Sequence, residues 1–189
     1  MHQENNLQPI NANPRLGKSF QTFVLGLKEF VELAVFVLLT IFLLTTFLCQ
    51  HSIVVGPSME NTLENGEHLI ISDFCYTPRN GDIIVFQDIS KSDKAMVKRV
   101  IAVGGQHIKV TSNAVYVDGE KLNETDYVYL DAERPQEYHE CELTVPEGYL
   151  FVMGDHRNNS TDSTRFGVID QRSVLGKVWF RISPFKFFK

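Results

Sequence analysis

The sequence is short of cysteine, of basic residues and of any repeat or low-complexity segment. Its 189 residues include three cysteines, and none of them forms a CxxC pair, which argues against a zinc site. The net charge is -5, whereas nucleic-acid-binding domains are usually basic. We therefore expect no metal site, no cofactor and no nucleic-acid partner. The length allows one ordinary domain plus an appendage.

What the sequence does contain is one long apolar run near its N terminus. Residues 30–49 read FVELAVFVLLTIFLLTTFLC, and Glu32 is the single charged residue among them. A run of about 20 helical residues covers the hydrocarbon thickness of a bilayer, about 30 Å. The run is apolar all round, which favours a membrane-spanning helix over a buried core helix. It exceeds the length of a signal-peptide core and lacks an A-x-A-like site, so we predict an uncleaved anchor.

Basic residues predict the orientation of this helix. Arg15, Lys18 and Lys28 precede the run, whereas the first Lys or Arg after it is Arg79. The positive-inside rule then places the preceding segment in the cytoplasm and everything after the run outside the membrane. We predict a mostly disordered cytoplasmic tail over residues 1–29 and a single-pass membrane protein.

Residues 50–189 contain short apolar segments separated by turn signals, a pattern typical of an all-β domain. No convincing amphipathic helix appears in this part, so we expect a sandwich or a partly closed barrel. Residues 118–142 are charged and irregular, and we treat them as a candidate small extra lobe. The predicted strands are His68–Ser72, Ile83–Phe86, Ala95–Val103, His107–Val110, Ala114–Val117, Tyr149–Met153 and Val174–Ile182.

One serine follows a β-branched run in a segment that can hold it rigidly. Gly56 and Pro57 precede Ser58; glycine permits positive φ, and proline fixes φ. This suits a nucleophile, but it also describes an ordinary turn, which these residues alone favour.

A serine nucleophile needs a base, either a histidine or a neutral lysine. Lys98 lies inside an apolar strand segment, where a lysine is either on the solvent face or buried. Burial would lower its pKa from about 10.4 towards about 8 and make it a usable base. A third segment, residues 153–167, is a loop rich in Asp, Arg and Ser that follows an apolar strand. Such loops carry catalytic groups or surface ion pairs.

Four segments in order resemble one family. They are PSMENTL at residues 57–63, GDIIVF at 81–86, KRVIAVGG at 98–105 and GDHRNNSTDST at 154–164. Together they resemble the bacterial type I signal peptidases, which are membrane-bound Ser–Lys serine endopeptidases. The resemblance covers nearly all of residues 30–189. It implies a catalytic domain of partly closed antiparallel β-sheets in the bacterial cell membrane, and signal peptides of exported pre-proteins, cut after small-x-small sites, as substrates.

The resemblance also implies roles for individual residues. Ser58 would be the nucleophile, its backbone N–H would bind the oxyanion, and Lys98 would be the general base. Ser160 would orient the lysine amine. Three further residues would support the site by ion pairing, namely Arg99, Asp155 and Asp162. The substrate pocket would be lined by Gly56, Met59, Leu63, Met96 and Val97.

The chain departs from the family pattern at four positions. Gly56 lacks the hydroxyl that some members place there as an oxyanion donor. Asn61 stands for a usual proline, and His156 stands for a usual asparagine. Thr164 stands for an arginine, so the ion pair of Asp162 is expected to be rewired or lost.

Two other interpretations remain open. A Ser–His–Asp hydrolase would use His156 with Asp155 or Asp162. A membrane-anchored β module without enzymatic activity would leave Ser58 in a plain turn. The sequence indicates neither the oligomeric state nor whether Cys75 and Cys141 pair.

Overall fold

A computed structural model describes the backbone of residues 14–48, 50–87, 94–132, 139–182 and 185–188, and it describes no side chains for residues 14–22 and 44–48. The chain divides into two compact units, Met1–Thr45 and Thr46–Lys189. Residues 1–13 of the predicted tail and residue 49 of the predicted span lie outside the described residues.

The first unit is built on a long helix, α1, over Pro14–Leu48. Proline suits the first turn of a helix, where its missing N–H has no intrahelical partner. The prediction of a disordered tail is therefore wrong for residues 14–29, because a helix nucleated in the apolar run extends cheaply into the preceding residues. Within the described residues, no helix combines the length and the hydropathy that crossing a bilayer requires.

The second unit consists mainly of antiparallel strands. In chain order they are β1 (Gln50–Ile53), β2 (His68–Ser72), β3 (Ile83–Phe86), β4 (Met96–Val103), β5 (His107–Val110), β6 (Val115–Val117), β7 (Glu120–Lys121), β8 (Cys141–Thr144), β9 (Tyr149–Met153), β10 (Ile169–Asp170), β11 (Val174–Arg181) and β12 (Lys186–Phe187). A single helical turn, α2 (Ser163–Phe166), lies between β9 and β10.

Two sheets account for the described strands. An eight-stranded sheet has the order β1-β2-β11-β3-β4-β9-β10, and β12 pairs with β11. A four-stranded sheet has the order β7-β6-β5-β8. The sheets share a core in which Ile101 and Phe151 of the first pack with Ile108 and Val115 of the second. The prediction of a mainly β domain is confirmed. The two ends of the predicted lobe contain β7 and β8, and both strands belong to the smaller sheet.

The seven predicted strands match observed ones to within one residue at each end. Five strands were missed, β1, β7, β8, β10 and β12. Each has at most one β-branched residue, whereas the equally short β3, β5 and β6 have two or three. Cys75 and Cys141 are both free thiols.

Candidate active site

The turn that carries Ser58 is closed by its own backbone. Gly56 has φ +94°, a conformation that favours glycine, and its N–H donates to Oδ1 of Asn65 at 2.8 Å. The N–H of Glu60 donates to the carbonyl of Pro57 at 3.0 Å. Ser58 therefore sits half-buried at a tight reversal of the chain. Its own N–H donates no hydrogen bond within the described part of the chain, so it is free to bind an oxyanion.

Lys98 approaches this serine from the large sheet. Nζ of Lys98 lies 2.6 Å from Oγ of Ser58, and the lysine is 4% exposed. Strand β4 is paired on both sides, with Ile84 of β3 opposite Lys98 and Met153 of β9 opposite Arg99. The lysine is thus buried beside the serine and does not lie on a solvent face.

The surroundings of Lys98 weaken its basicity. Burial lowers the pKa of Lys98 from its ordinary value of 10.5 to about 8, although the carboxylates of Asp162 and Asp155 act in the opposite direction. At pH 7 a group of pKa about 8 is neutral in about one molecule in ten, against about one in a few thousand at the ordinary value. The amine can therefore accept a proton from a neighbouring hydroxyl near neutral pH.

Arg99 and Asp155 form the main polar support of the site. The guanidinium of Arg99 binds Asp155 as a fork, with distances of 2.8 Å and 2.6 Å, and also donates to the carbonyl of Gly81 at 2.8 Å. Asp155 is fully buried and accepts a further hydrogen bond from the Thr62 hydroxyl at 2.6 Å. The ring of Tyr127 covers the guanidinium at 4.1 Å. This network ties the serine turn, β4 and the loop after β9 together.

Asp162 has a different role from the ion pairing that the resemblance implied. Its Oδ1 accepts hydrogen bonds from the N–H and the hydroxyl of Thr164 and so caps α2, while Oδ2 accepts from the N–H of Gly154 at 3.1 Å. Among the described residues it forms no ion pair. This agrees with the expectation that Thr164, which stands for the family's arginine, leaves the ion pair of Asp162 rewired or lost.

Ser160 lies close to the site but does not hold the lysine. Its hydroxyl is buried and has no hydrogen-bond partner among the described residues, so the implied bond to Lys98 is not formed. A methyl group on Gly154 would lie 2.3 Å from Oγ of Ser160 and 2.5 Å from the carbonyl oxygen of Ser58. Only glycine fits at this position, where the two serines close on the same backbone.

The predicted pocket residues separate into two groups. Met59 and Leu63 are buried in one core cluster, and Val97 packs against the same cluster. Met96 packs against a different cluster, because successive side chains of a strand point to opposite faces. Gly56 forms part of the serine turn.

The Ser–His–Asp alternative does not match the geometry. Nδ1 of His156 lies 2.8 Å from Oε2 of Glu60 and 3.3 Å from the carbonyl of Pro57. Its described side-chain contacts include neither the Ser58 hydroxyl nor the carboxylate of Asp155 or Asp162. The position that a catalytic histidine would take beside the serine is held by the lysine.

Sequence analysis missed a segment that frames the site. Arg157 binds Glu124 with both ends of its guanidinium and donates to the carbonyl of Gly154 at 3.0 Å. The N–H of Tyr129 donates to the carbonyl of Asp155 at 2.8 Å. Glu124 and Tyr129 lie in the stretch that looked irregular, and no sequence signal marks their contacts with the loop after β9.

A hydroxyl held against a buried lysine of lowered pKa, on a β-sheet scaffold, is the arrangement of a Ser–Lys hydrolase. The family model described as "Signal peptidase, peptidase S26" matches residues 27–183, and the chain belongs to this family. The prediction of a serine endopeptidase, made from four short segments, is thereby confirmed.

Individual relatives agree with the family match. A probable signal peptidase I-1 from Synechocystis sp. is 36% identical over 168 residues, which cover 84% of this chain and 83% of the relative. A signal peptidase I from Bacillus caldolyticus is 38% identical over 157 residues, covering 77% of this chain and 85% of the relative. A signal peptidase IB from Staphylococcus aureus is 31% identical over 165 residues, covering 79% and 85%.

Burial of Lys98 predicts a specific pH dependence of stability. Because the pKa of Lys98 is lower in the folded state, burying its charged form destabilises the fold. This destabilisation is complete below about pH 8 and disappears as pH rises through the unfolded-state pKa of about 10.4. Relative to Lys98→Met, the unfolding free energy of the native chain should rise by roughly 3 kcal/mol between pH 7 and pH 11. Urea denaturation of the detergent-solubilised protein measures this difference.

The matched control is Lys109→Met. The contact of the exposed Lys109 with Glu142 raises the pKa of Lys109. The contribution of Lys109 to stability should therefore fall as pH rises. A difference between the native chain and Lys98→Met that stays constant with pH would contradict burial of the amine.

Proposed function

We propose that this protein is a signal peptidase I that removes N-terminal signal peptides from exported pre-proteins, cutting after small-x-small sequences. One observation carries the proposal, namely the 2.6 Å approach of the buried Lys98 amine to the Ser58 hydroxyl. The names of the relatives support the substrate class. The free N–H of Ser58 supports the chemistry, because acyl transfer requires a donor for the developing oxyanion.

The proposed reaction proceeds through an acyl-enzyme. The neutral Lys98 amine takes the Ser58 proton while Oγ attacks the carbonyl carbon of the scissile bond. The tetrahedral oxyanion is bound by the Ser58 N–H. The Lys98 ammonium then gives its proton to the leaving amine, and the C–N bond breaks. Water then attacks the ester carbon while Lys98 takes a proton from it. The C–Oγ bond breaks, the Lys98 ammonium returns that proton to Oγ of Ser58, and the carboxylic product leaves.

The remaining site residues support this chemistry without touching the reacting bond. The fork between Arg99 and Asp155 holds β4 and the loop after β9 at a fixed separation. Asp162 holds Gly154, and this glycine lets the Ser160 hydroxyl approach. We propose that Ser160 contacts the lysine amine during the reaction, since its buried hydroxyl has no other hydrogen-bond partner among the described residues.

The proposed specificity follows from the apolar residues beside the serine. Met59, Leu63 and Val97 pack into one buried cluster, so little depth is left for a substrate side chain. We propose that they form the floor of a shallow pocket, with Gly56 and Met96 at its margins. Such a pocket excludes large residues but separates small ones only weakly. The substrate backbone would add as a strand at a sheet edge.

We further propose that α1 anchors the protein in the bacterial cell membrane, with the N terminus in the cytoplasm. Residues 30–49 carry one charge, and the described side chains of this stretch are largely exposed. Apolar side chains in or next to β1, β11 and β12 support contact with the bilayer surface, because they are 46–65% exposed. They are Ile53, Ile182, Phe185 and Phe187. Lipid is therefore a proposed partner besides the signal peptide.

The dyad is tested by cleavage of a pre-protein with an A-x-A site by the full chain in detergent. Ser58→Ala and Lys98→Met should each lower the rate by about 1,000-fold or more, because nucleophile and base act as a unit. Lys109→Met, which removes an exposed lysine, should leave the rate unchanged. Full activity of Lys98→Met would exclude the dyad, and no cleavage by the native chain would favour a binding module.

The lysine base also predicts the pH profile. Because the neutral amine is the active form and the pKa of Lys98 is about 8, kcat/KM should rise with pH and reach half of its maximum near that value. A histidine base would place this limb near pH 6.5. Initial rates between pH 5 and pH 10 measure the limb. A limb near pH 6.5 that persists in Lys98→Met would contradict the assignment.

Membrane anchoring is tested by fractionation of cells that express the full chain. An anchored protein should remain in the membrane pellet after an alkaline carbonate wash, whereas a protein held by its surface alone should be released. Protease added outside spheroplasts should digest the β domain and spare an N-terminal tag. Recovery in the carbonate supernatant, or protection of the β domain, would contradict this topology.

A further inference from the structure

His156 lies directly behind the proposed nucleophile. Its main-chain N–H donates to the carbonyl of Ser58 at 3.1 Å, and its side chain is 3% exposed. The imidazole meets the ring of Tyr129 nearly edge-on, with the ring centroids 4.7 Å apart. A buried polar ring is thus held in a defined orientation against the serine turn, and the mechanism above does not use it.

The contacts of the imidazole identify the nitrogen that carries the proton. Nδ1 lies 2.8 Å from Oε2 of Glu60 and 3.3 Å from the carbonyl oxygen of Pro57. A carbonyl oxygen can only accept, so Nδ1 must be the donor. Nε2 is buried without a hydrogen-bond partner among the described residues, and an N–H at that position would be left unsatisfied. These contacts correspond to the Nδ1–H tautomer.

The serine turn has a positive φ at each end, and contacts from outside the turn add to its own backbone hydrogen bonds. Asn61 has φ +78°, a value that proline, with φ locked near −65°, cannot adopt. Gly56, at the other end of the turn, also has a positive φ. The His156 ring contacts the residue before Ser58 and the residue two places after it, so a single N–H spans the turn.

We infer that His156 and Glu60 form a clamp that positions the Ser58 hydroxyl for attack. The Nδ1–H of His156 is shared between the Glu60 carboxylate and the Pro57 carbonyl, while its main-chain N–H holds the Ser58 carbonyl. The turn is thereby fixed against the loop after β9. His156 is a positioning residue and contacts none of the reacting atoms. The inference rests on the proposed function, since it matters only if Ser58 attacks.

Kinetics of the full chain in detergent test the clamp. His156→Leu should lower kcat by about 10- to 100-fold, the effect expected when a nucleophile is slightly misplaced. KM should stay within about two-fold, because the substrate contacts are unchanged. Glu60→Ala should have a smaller effect, since the Pro57 carbonyl remains an acceptor. The double variant should lose no more than His156→Leu alone. Additive losses, or an unchanged kcat in His156→Leu, would overturn the clamp.

Two conservative variants separate hydrogen bonding from packing. His156→Asn places an amide nitrogen where Nδ1 now lies, whereas His156→Gln places it one bond further from the backbone. We expect His156→Asn to retain kcat within about three-fold, and His156→Gln to behave like His156→Leu, because only the former preserves the donor. Equal loss in both variants would show that the ring acts only by filling space, and would overturn the inference.

The tautomer provides a readout that does not depend on activity. Imidazole ¹⁵N shifts, assigned by comparison with His156→Asn, should show Nδ1 protonated; a ring protonated at Nε2 overturns the clamp. His107→Asn is the matched control, because Nε2 of His107 lies 3.4 Å from a carboxylate oxygen of Glu142 and its side chain is 45% exposed. This variant should leave kcat unchanged. Loss of cleavage in Ser58→Ala with full activity in His156→Leu refutes the clamp alone. Cleavage by Ser58→Ala refutes the proposed function and the clamp with it.

Discussion

Burying an amine beside a hydroxyl is the constraint on which the rest of this structure depends. Lys98 is 4% exposed, and removing its charged form from water opposes folding. The lowering of its pKa to about 8 reflects this penalty. The shift corresponds to roughly 3 kcal/mol, a large part of the stability of an ordinary domain. This figure is a net cost, because the charges of Asp162 and Asp155 have already offset part of the desolvation penalty. Packing and hydrogen bonds elsewhere must offset the net cost, and the scaffold must prevent the long side chain from swinging out to solvent.

The scaffold meets this demand by enclosing the lysine from several directions. Strand β4 is hydrogen-bonded on both sides, and its apolar residues pack in all three core clusters. The serine half of the site comes from a turn that Asp155 holds through Thr62 and that His156 contacts on both sides of Ser58. A site of this kind depends on groups at its edge as much as on the two that react, because a displacement of about 1 Å between nucleophile and base weakens the reaction strongly.

The parts that sequence analysis predicted well are those with local signals. Seven strands could be placed because each has enough apolar residues between turn signals. The five strands β1, β7, β8, β10 and β12 could not be placed, because each has at most one β-branched residue. The single helical turn α2 is too short to show a helical period. The start of α1 was misplaced because helix propagation into polar residues follows from cooperativity rather than from hydropathy. Within the site, Ser58 and Lys98 were found through motif spacing, whereas Tyr127, Tyr129 and Glu124 were not, since nothing in their neighbourhoods marks them.

The amino-acid sequence by itself determined the family, the mainly β class and the identity of the serine and the lysine, because residue type and spacing are sufficient for these. It left open whether Lys98 faces solvent, whether His156 serves as a base and whether Asp162 keeps an ion pair. Only the tertiary structure decided these points: the amine is buried, the histidine faces Glu60 and the aspartate caps a helix. In each case the side chain selects its partners from groups up to about a hundred positions apart in the chain. Which groups come together depends on how the strands pack, and short stretches of sequence do not encode that packing.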